Sequence, residues 1–254
     1  MKTLATLSFL GAVLLGCTAQ DSTTIGDAPD VDTEGLDPLA ALAAVCAGRP
    51  GERIGFLGDS ITESGNASGG YVDRIRAALA ADERSRPTAI IPVGISGNRV
   101  PDLLARLDAD LLEHRPTLVW IYIGINDVWR SLSGGETPAA EFESGLVELI
   151  ERCRRAGAKV VLATPSVIGE KTDGSNPLDG MLDDYAAISR RVASAEGVGL
   201  CDLRAAFLAH LREVNGANAE SGVLTTDGVH LNEAGNRFVA EQCAQALAES
   251  LRAR

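Results

Sequence analysis

The amino-acid sequence predicts a three-layer α/β fold, with helices on both faces of a parallel β-sheet. Short apolar runs alternate along the chain with longer stretches of helical spacing, which is the pattern of repeated strand–helix–strand units. The runs are also largely continuous rather than alternately polar, as is typical of strands buried on both faces of a sheet. The predicted strands cover 53–57, 88–93, 118–123, 159–163 and 198–201.

The stretches between these strands have the apolar spacing of amphipathic helices. Right-handed crossovers through such helices keep all strands parallel. The sequence contains no internal repeat, so we expect one folded domain over 38–254. A short packing helix is predicted over 38–48, and further helices are predicted over 71–81, 102–112, 139–155, 178–195, 203–214 and 232–252.

Composition argues against several classes of protein. Of the 254 residues, 45% are hydrophobic and 23% are charged, which is unlike a disordered, fibrous or multi-spanning membrane chain. The net charge of −12 repels phosphate backbones, so we expect no nucleic-acid partner. The sequence has three His and five Cys but no CxxC pair and no HExxH. We therefore expect no metal site and no cofactor.

The N-terminal segment has the pattern of a signal peptide over 1–16. Lys2 precedes a run of apolar or small residues over 4–15, which is too short to span a bilayer. The run ends in LLGC, which resembles the bacterial lipobox, so we expect a lipid on Cys17. The protein would then be exported and anchored in the cell envelope, and Thr18 after the cysteine favours the outer membrane. A plain signal peptide that happens to contain a cysteine is the alternative.

The residues after Cys17 predict a disordered acidic tether over 17–37. This segment contains six acids, no Lys or Arg and few large apolar groups. Because the tether carries a charge of −6 and Lys2 in the signal peptide carries +1, the part from Pro38 onward carries only −7 of the net −12. The acidity of the chain therefore says little about the substrate.

Polar, glycine-rich segments follow the predicted strands. In parallel α/β sheets, ligands bind at the carboxyl ends of the strands, so we expect these segments to meet at one rim. They are 58–64 after the first strand, 94–98 after the second, 124–127 after the third, and 226–232 before the last helix.

Acyl transfer by a serine nucleophile is the chemistry that these segments support. Such a reaction needs a base and an acid that orients it. Asp227 and His230 are three residues apart. One turn of chain can therefore place the carboxylate against one imidazole nitrogen and leave the other nitrogen facing Ser60. The acid then fixes the tautomer and stabilises the imidazolium.

Three groups are candidate donors to the developing oxyanion. Ser60 ends a strand and begins a helix, so its own N–H can point at the oxyanion. Gly97 can offer a second N–H because it has no side chain to prevent close approach. Asn126 can offer its side-chain NH₂ group. Taken singly, Ser60 could instead belong to a helix cap, and Gly97 and Asn126 could serve only turns.

Four short motifs carry these residues, in order along the chain. Each motif alone is a weak signal, but all four in this order are a strong one. They read GDSIT at 58–62, ISGN at 95–98, GIND at 124–127 and DGVH at 227–230.

The four motifs resemble those of the SGNH hydrolases, also called GDSL esterases and lipases. The resemblance runs from about residue 53 to the C-terminus, and Ile61 replaces the leucine of the usual GDSL signature. It implies a flavodoxin-like α/β/α sandwich with five parallel strands. It also implies nucleophile, oxyanion-hole and Asp-x-x-His roles for the residues that the motifs carry: Ser60, Gly97, Asn126, Asp227 and His230.

The sequence predicts the substrate less precisely than it predicts the fold and the site residues. The candidate rim segments 129–138 and 166–180 are polar, whereas a lipase acting on long acyl chains should have an apolar cleft wall. We therefore expect a short acyl ester, such as an acetyl group on a carbohydrate. Trp129 is either a pocket wall that stacks on a sugar or an ordinary packing residue. The alternatives are a lysophospholipase or thioesterase of the same family, and a catalytically silent surface protein that binds carbohydrate.

Four cysteines remain besides Cys17, an even number in an exported protein. Cys46 lies in the first predicted helix and Cys243 in the last. Because terminal elements can be neighbours in this topology, we expect a disulfide between them. Cys153 and Cys201 are expected to be free and buried.

Overall fold

The computed structural model describes residues 1, 33, 35–85 and 87–253. Apart from Met1, the predicted signal peptide lies outside the described residues, as do Cys17, where a lipid is predicted, and most of the predicted tether. No helix of the described part is both long and apolar enough to cross a membrane.

All five strands pair in parallel in one sheet, as predicted. Their order across the sheet is 2-1-3-4-5, the order of flavodoxin-like folds. The strands are β1 (Arg53–Gly58), β2 (Ala89–Gly94), β3 (Leu118–Tyr122), β4 (Lys159–Ala163) and β5 (Gly199–Cys201).

Helices cover both faces of the sheet. They are α1 (Pro38–Ala47), α2 (Ser60–Gly65), α3 (Tyr71–Ala81), α4 (Val100–Asp110), α5 (Ile125–Trp129), α6 (Ala139–Arg155), α7 (Asp179–Glu196), α8 (Leu203–Val214) and α9 (Glu233–Arg252). Helices α1, α3 and α9 contact one another, and α4, α6 and α7 form a second contacting series. The core lies between these helices and the sheet, and every residue of β3 is buried there.

The first three strands end at the same level. Gly58 at the end of β1 pairs with Gly94 of β2 on one side and with Tyr122 of β3 on the other. The three segments that follow these strands therefore leave the sheet side by side. This is also where the strand order reverses, the place at which open α/β sheets bind their ligands.

Two helices differ from the sequence prediction. Helix α4 begins at Val100 rather than 102, because Pro101 fits the first turn and the Asp102 carboxylate accepts a hydrogen bond from the Arg99 N–H at 2.9 Å. Helix α5 occupies a segment expected to be a loop. It has only five residues, which is too short for a helical period to be recognised in the sequence.

The predicted disulfide between Cys46 and Cys243 is wrong. Helices α1 and α9 do pack together, but both cysteines are buried free thiols, and burial raises the pKa of Cys46 to about 11. Packing of two helices does not by itself bring two Cβ atoms to the roughly 3.5–4.5 Å that a disulfide requires. Cys153 and Cys201 are also free and buried, as predicted.

Candidate active site

A serine, a histidine and an aspartate form a hydrogen-bonded chain at the rim above β1. The Oγ atom of Ser60 lies 2.9 Å from Nε2 of His230, and the other ring nitrogen of His230 lies 2.7 Å from Oδ2 of Asp227. The structure thus brings together three residues from the first and last of the four motifs. This order of groups suits proton transfer from a hydroxyl to an imidazole that a carboxylate orients.

The turn between Asp227 and His230 is built by the aspartate itself. Its Oδ1 atom accepts hydrogen bonds from the backbone N–H groups of Val229 at 3.0 Å and His230 at 2.8 Å. Gly228 supports this turn with a φ of +92°, which disfavours other residues. Oδ2 therefore remains available to the imidazole ring.

Asp227 is held in its charged form. Partial burial raises its pKa, but hydrogen bonds from the His230 ring and from the two backbone N–H groups lower the pKa by a larger amount. The pKa of Asp227 therefore lies below its ordinary value of 3.8. A carboxylate that stays ionised can stabilise an imidazolium beside it.

Ser60 is the first residue of α2, and Asp59 caps that helix. Oδ1 of Asp59 accepts the Ile61 N–H at 2.9 Å, which fixes the turn that presents the serine. Asp59 is fully buried. Burial, together with the nearby charge of Asp127, raises its pKa from 3.8 to about 7.

Asn126 lies between the other rim segments. Its Nδ2 atom donates to the backbone oxygen of Asn98 at 3.1 Å and lies 3.4 Å from Oδ2 of Asp59. It therefore touches both the segment that carries Gly97 and the residue before Ser60. The neighbouring Asp127 is buried and accepts the Val100 N–H at 3.1 Å, which joins α5 to the start of α4.

Gly97 occupies a turn with a φ of +78°. Its carbonyl oxygen accepts a hydrogen bond from Nη2 of Arg130 at 2.9 Å. Within the described part of the chain, the N–H groups of Gly97 and Ser60 have no hydrogen-bond acceptor. Both are therefore available to a ligand at the rim.

Two residues that support the Gly97 segment were not assigned a role from the sequence. Glu63 is exposed, and its carboxylate accepts the Ser96 N–H at 2.8 Å. Arg106 donates to Oδ1 of Asn98 at 2.7 Å and to the backbone oxygen of Gly58 at 3.0 Å. No sequence signal identifies Arg106, because its partners come from two other elements.

Trp129 lies beside the histidine. Its ring centroid is 6.5 Å from that of His230, with an angle of 54° between the two planes. Trp129 is partly buried against the core, so it packs and also faces the rim. Trp120 is fully buried in β3. No group of three or more His, Cys, Asp or Glu side chains within the described ranges is arranged to hold a metal ion.

Comparison with known proteins decides the family. A profile of the GDSL-like lipase/acylhydrolase family matches residues 56–238. The chain belongs to this family. The match confirms the resemblance found in the four motifs, and the family's ester-hydrolysing members identify the chain as a carboxylic ester hydrolase.

The GDSL family members similar to this chain include two acetylxylan esterases. The acetylxylan esterase of Geobacillus stearothermophilus is 31% identical over 207 residues, which covers 75% of this chain and 91% of that protein. The crystal structure of the acetyl xylan esterase AlAXEase is 40% identical, covers 75% of this chain and 97% of that chain, and superimposes with a TM-score of 0.73. This likeness confirms the predicted fold.

A third relative is an uncharacterized lipoprotein, YqeF, of Bacillus subtilis strain 168. It is 28% identical over 231 residues, which covers 80% of this chain and 92% of that protein.

The raised pKa of Asp59 leads to a prediction about stability. The unfolded chain loses the Asp59 proton near its ordinary pKa of 3.8, whereas the folded protein keeps it up to about pH 7. Between these values the folded state binds more protons, so the free energy of unfolding falls as pH rises. Asp59→Asn, which can still accept the Ile61 N–H, should lose this contribution. We expect urea denaturation to show the wild type losing up to about 4 kcal/mol relative to Asp59→Asn between about pH 4 and pH 7.5. Parallel pH dependence of the two proteins would contradict a neutral buried carboxyl group.

Proposed function

We propose that this protein is a serine esterase that removes acetyl groups from carbohydrate, with Ser60 as nucleophile, His230 as base and Asp227 as the acid that orients it. The observation that carries the proposal is the continuous chain of hydrogen bonds from Ser60 through His230 to Asp227, at 2.9 and 2.7 Å. A nucleophile within reach of a base, which a third group orients in turn, is the arrangement that activates a serine hydroxyl.

The reaction proceeds in two halves. Oγ of Ser60 attacks the carbonyl carbon of the ester while Nε2 of His230 takes the hydroxyl proton. The tetrahedral intermediate then collapses as His230 returns that proton to the departing sugar oxygen, which leaves an acetyl group on Ser60. A water molecule, deprotonated by His230, attacks this acetyl group, and acetate leaves as the hydroxyl of Ser60 is restored.

The oxyanion forms in each half of the reaction, and three donors stabilise it in this proposal. They are the N–H groups of Ser60 and Gly97 and the NH₂ group of Asn126. Their support comes from the free N–H groups at the rim and from the position of Asn126 between Asn98 and Asp59. The two backbone N–H groups are held in place before substrate arrives. One hydrogen of the Asn126 NH₂ group first leaves its long 3.4 Å contact with Asp59 to face the oxyanion.

The acetyl and carbohydrate parts of the proposal have separate support. Two relatives bear the name acetylxylan esterase, and the rim segments 129–138 and 166–180 are polar in sequence. Trp129 lies beside His230 with one part packed on the core, so a sugar ring next to the scissile ester would lie against its indole.

The location of the enzyme is a further part of the proposal. We infer that Cys17 is lipidated and that the acidic residues after it tether the domain to the cell envelope. The LLGC motif supports this, as does the lipoprotein name of the Bacillus subtilis relative.

The nucleophile and the base can each be tested by one substitution. Ser60→Ala and His230→Ala should each remove nearly all hydrolysis of p-nitrophenyl acetate, because the remaining oxyanion donors supply only weak catalysis. Wild-type activity should also fall at acid pH, where a protonated imidazole cannot accept the Ser60 proton. Circular dichroism should show that both variants are folded. Full turnover by a folded Ser60→Ala protein would disprove the serine mechanism.

Asn126 should affect the rate more than substrate binding. Asn126→Ala is expected to lower kcat by about 10²–10³, the loss typical of one oxyanion donor, with a smaller change in KM. Steady-state kinetics separate the two parameters. A rise in KM alone would make Asn126 a binding residue instead.

Trp129 should affect the sugar part of the substrate only. Trp129→Ala is expected to raise KM for an acetylated xylo-oligosaccharide about two- to tenfold, the equivalent of an aromatic contact of about 0.5–1.5 kcal/mol. Hydrolysis of p-nitrophenyl acetate should change little, and Trp129→Phe should retain most of the sugar affinity. If the wild type prefers p-nitrophenyl esters of long acyl chains and ignores the acetylated sugar, the substrate proposal is wrong.

Mass spectrometry of the mature N-terminal peptide tests the anchor. We expect a diacyl or triacyl modification on Cys17, because stable anchoring needs more than one acyl chain. Cys17→Ser should give active protein that is either released or unprocessed, while hydrolysis of a small soluble ester is unchanged. An unmodified Cys17 would show that the segment is a plain signal peptide.

A further inference from the structure

A buried carboxylate with no part in the proposed reaction lies behind the Asp227–His230 turn. Glu170 belongs to the segment after β4, and its exposed fraction is 0%. An ionised carboxylate is expensive to bury unless hydrogen bonds or an opposite charge compensate it. Within the described residues, no Lys, Arg or His side chain forms an ion pair with Glu170.

Consecutive residues of the segment before the turn supply the compensation. Oε2 of Glu170 accepts the Val223 N–H at 2.8 Å. Oε1 accepts the N–H groups of Leu224 at 2.7 Å and Thr225 at 2.6 Å, together with the Thr225 hydroxyl at 2.9 Å. These are hydrogen bonds to a charged acceptor, the stronger kind. The carboxylate and segment 223–225 therefore depend on each other.

The Thr225 hydroxyl connects Glu170 to the Asp227–His230 turn. Because it donates its proton to Glu170, its oxygen is left to accept the Gly228 N–H, at 3.0 Å. Gly169, next to Glu170, donates its own N–H to the Gly228 carbonyl at 2.8 Å. The carbonyl of Gly228 is thus held directly by Gly169, and its N–H is held by Thr225, which Glu170 holds in turn. Gly228 lies between Asp227 and His230.

The approach between these segments is also close. A Cβ atom on Gly228 would lie 3.3 Å from the backbone of Gly169, so the turn rests directly on that residue. The 169–170 segment is itself held in place, because Nδ2 of Asn215 donates to the Glu170 carbonyl at 2.8 Å. The turn is therefore supported by a segment that is itself hydrogen-bonded to Asn215.

We propose that Glu170 is a positioning residue, whose negative charge, acting through Thr225, holds the Asp227–His230 turn at the distance from Ser60 that proton transfer needs. The inference rests on the proposed function. Loss of the charge leaves the Val223 N–H without an acceptor and weakens the hydrogen bonds from Leu224 and Thr225, and the turn then shifts relative to Ser60. A displacement of about 1 Å at a reacting group can cost about 10²-fold in rate.

Substitutions at Glu170 and Thr225 separate this role from simple stabilisation. Glu170→Gln keeps the shape of the side chain, but its terminal NH₂ group cannot accept a hydrogen bond. Either the Val223 N–H or the N–H groups of Leu224 and Thr225 therefore lose their acceptor. Thr225→Val removes the hydroxyl that carries the contact to Gly228. Glu170→Asp keeps the charge. Glu52→Gln is the matched control, because Glu52 is also a mostly buried carboxylate that accepts a threonine hydroxyl, from Thr117 at the opposite end of the sheet.

The full-length variants are compared by steady-state kinetics on p-nitrophenyl acetate, at a temperature where circular dichroism shows each to be folded. We expect Glu170→Gln to lower kcat by about 10²-fold with little change in KM, and Thr225→Val to lower kcat by a smaller factor. Glu170→Asp should recover part of the loss, and Glu52→Gln should keep the wild-type kcat. The double variant Glu170→Gln/Thr225→Val should lose no more than Glu170→Gln alone, because both act through one contact.

The pH dependence of kcat/KM provides a second readout. When the turn is loosened, Asp227 stabilises the imidazolium less, so the acid limb of the profile should move to lower pH in Glu170→Gln and Thr225→Val. A residue that only stabilises the fold would leave this limb in place. If Glu170→Gln does not fold, Thr225→Val and Glu170→Asp decide the matter by the same measurements.

The outcomes separate the two proposals. If Ser60→Ala abolishes activity while Glu170→Gln and Thr225→Val keep the wild-type kcat and acid limb, the role of Glu170 is disproved and the serine mechanism stands. If a folded Ser60→Ala protein is active, the proposed function fails whatever the Glu170 variants do.

Discussion

Helix α2 lies so close to the ends of β1 and β2 that neither strand has room for a side chain at its last residue. A Cβ atom on Gly58 would lie 2.2 Å from Oγ1 of Thr62, and one on Gly94 would lie 2.2 Å from the Glu63 nitrogen. This contact places Ser60 directly above β1 and brings Glu63 within reach of the Gly97 segment. A larger residue at either glycine would lift α2 and move the serine away from every other group of the site.

The rim above α2 is held by side chains that each join two segments. Arg106 connects the end of β1 to Asn98, Asn126 connects α5 to the same residue, and Asp127 ties α5 to the start of α4. In the proposed mechanism, the groups that face the substrate are therefore fixed by hydrogen bonds between segments and not by the rigidity of any single loop. Preorganised donors of this kind stabilise a developing charge without having to move.

The fold was predictable from the sequence because continuous apolar runs and helical spacing are local signals, and the strand bounds differ from the prediction by at most one residue at either end. The candidate site was predictable because short motifs and a family resemblance mark Ser60, Gly97, Asn126, Asp227 and His230. Side chains with partners in distant elements carry no local signal, so Arg106 and Glu170 were missed. The prediction of a Cys46–Cys243 disulfide was wrong for the same reason, because the packing of two helices does not determine which of their atoms meet.

Two hydrogen bonds join residues near the start of the domain to residues near its end. Ser60 meets His230 across 170 positions of the chain, and the Tyr71 N–H donates to Asn236 of α9 across 165 positions. A chain that ends before His230 contains the serine but lacks the imidazole. By the proposed mechanism such a fragment cannot hydrolyse an ester, although it carries the nucleophile and all three of the proposed oxyanion donors.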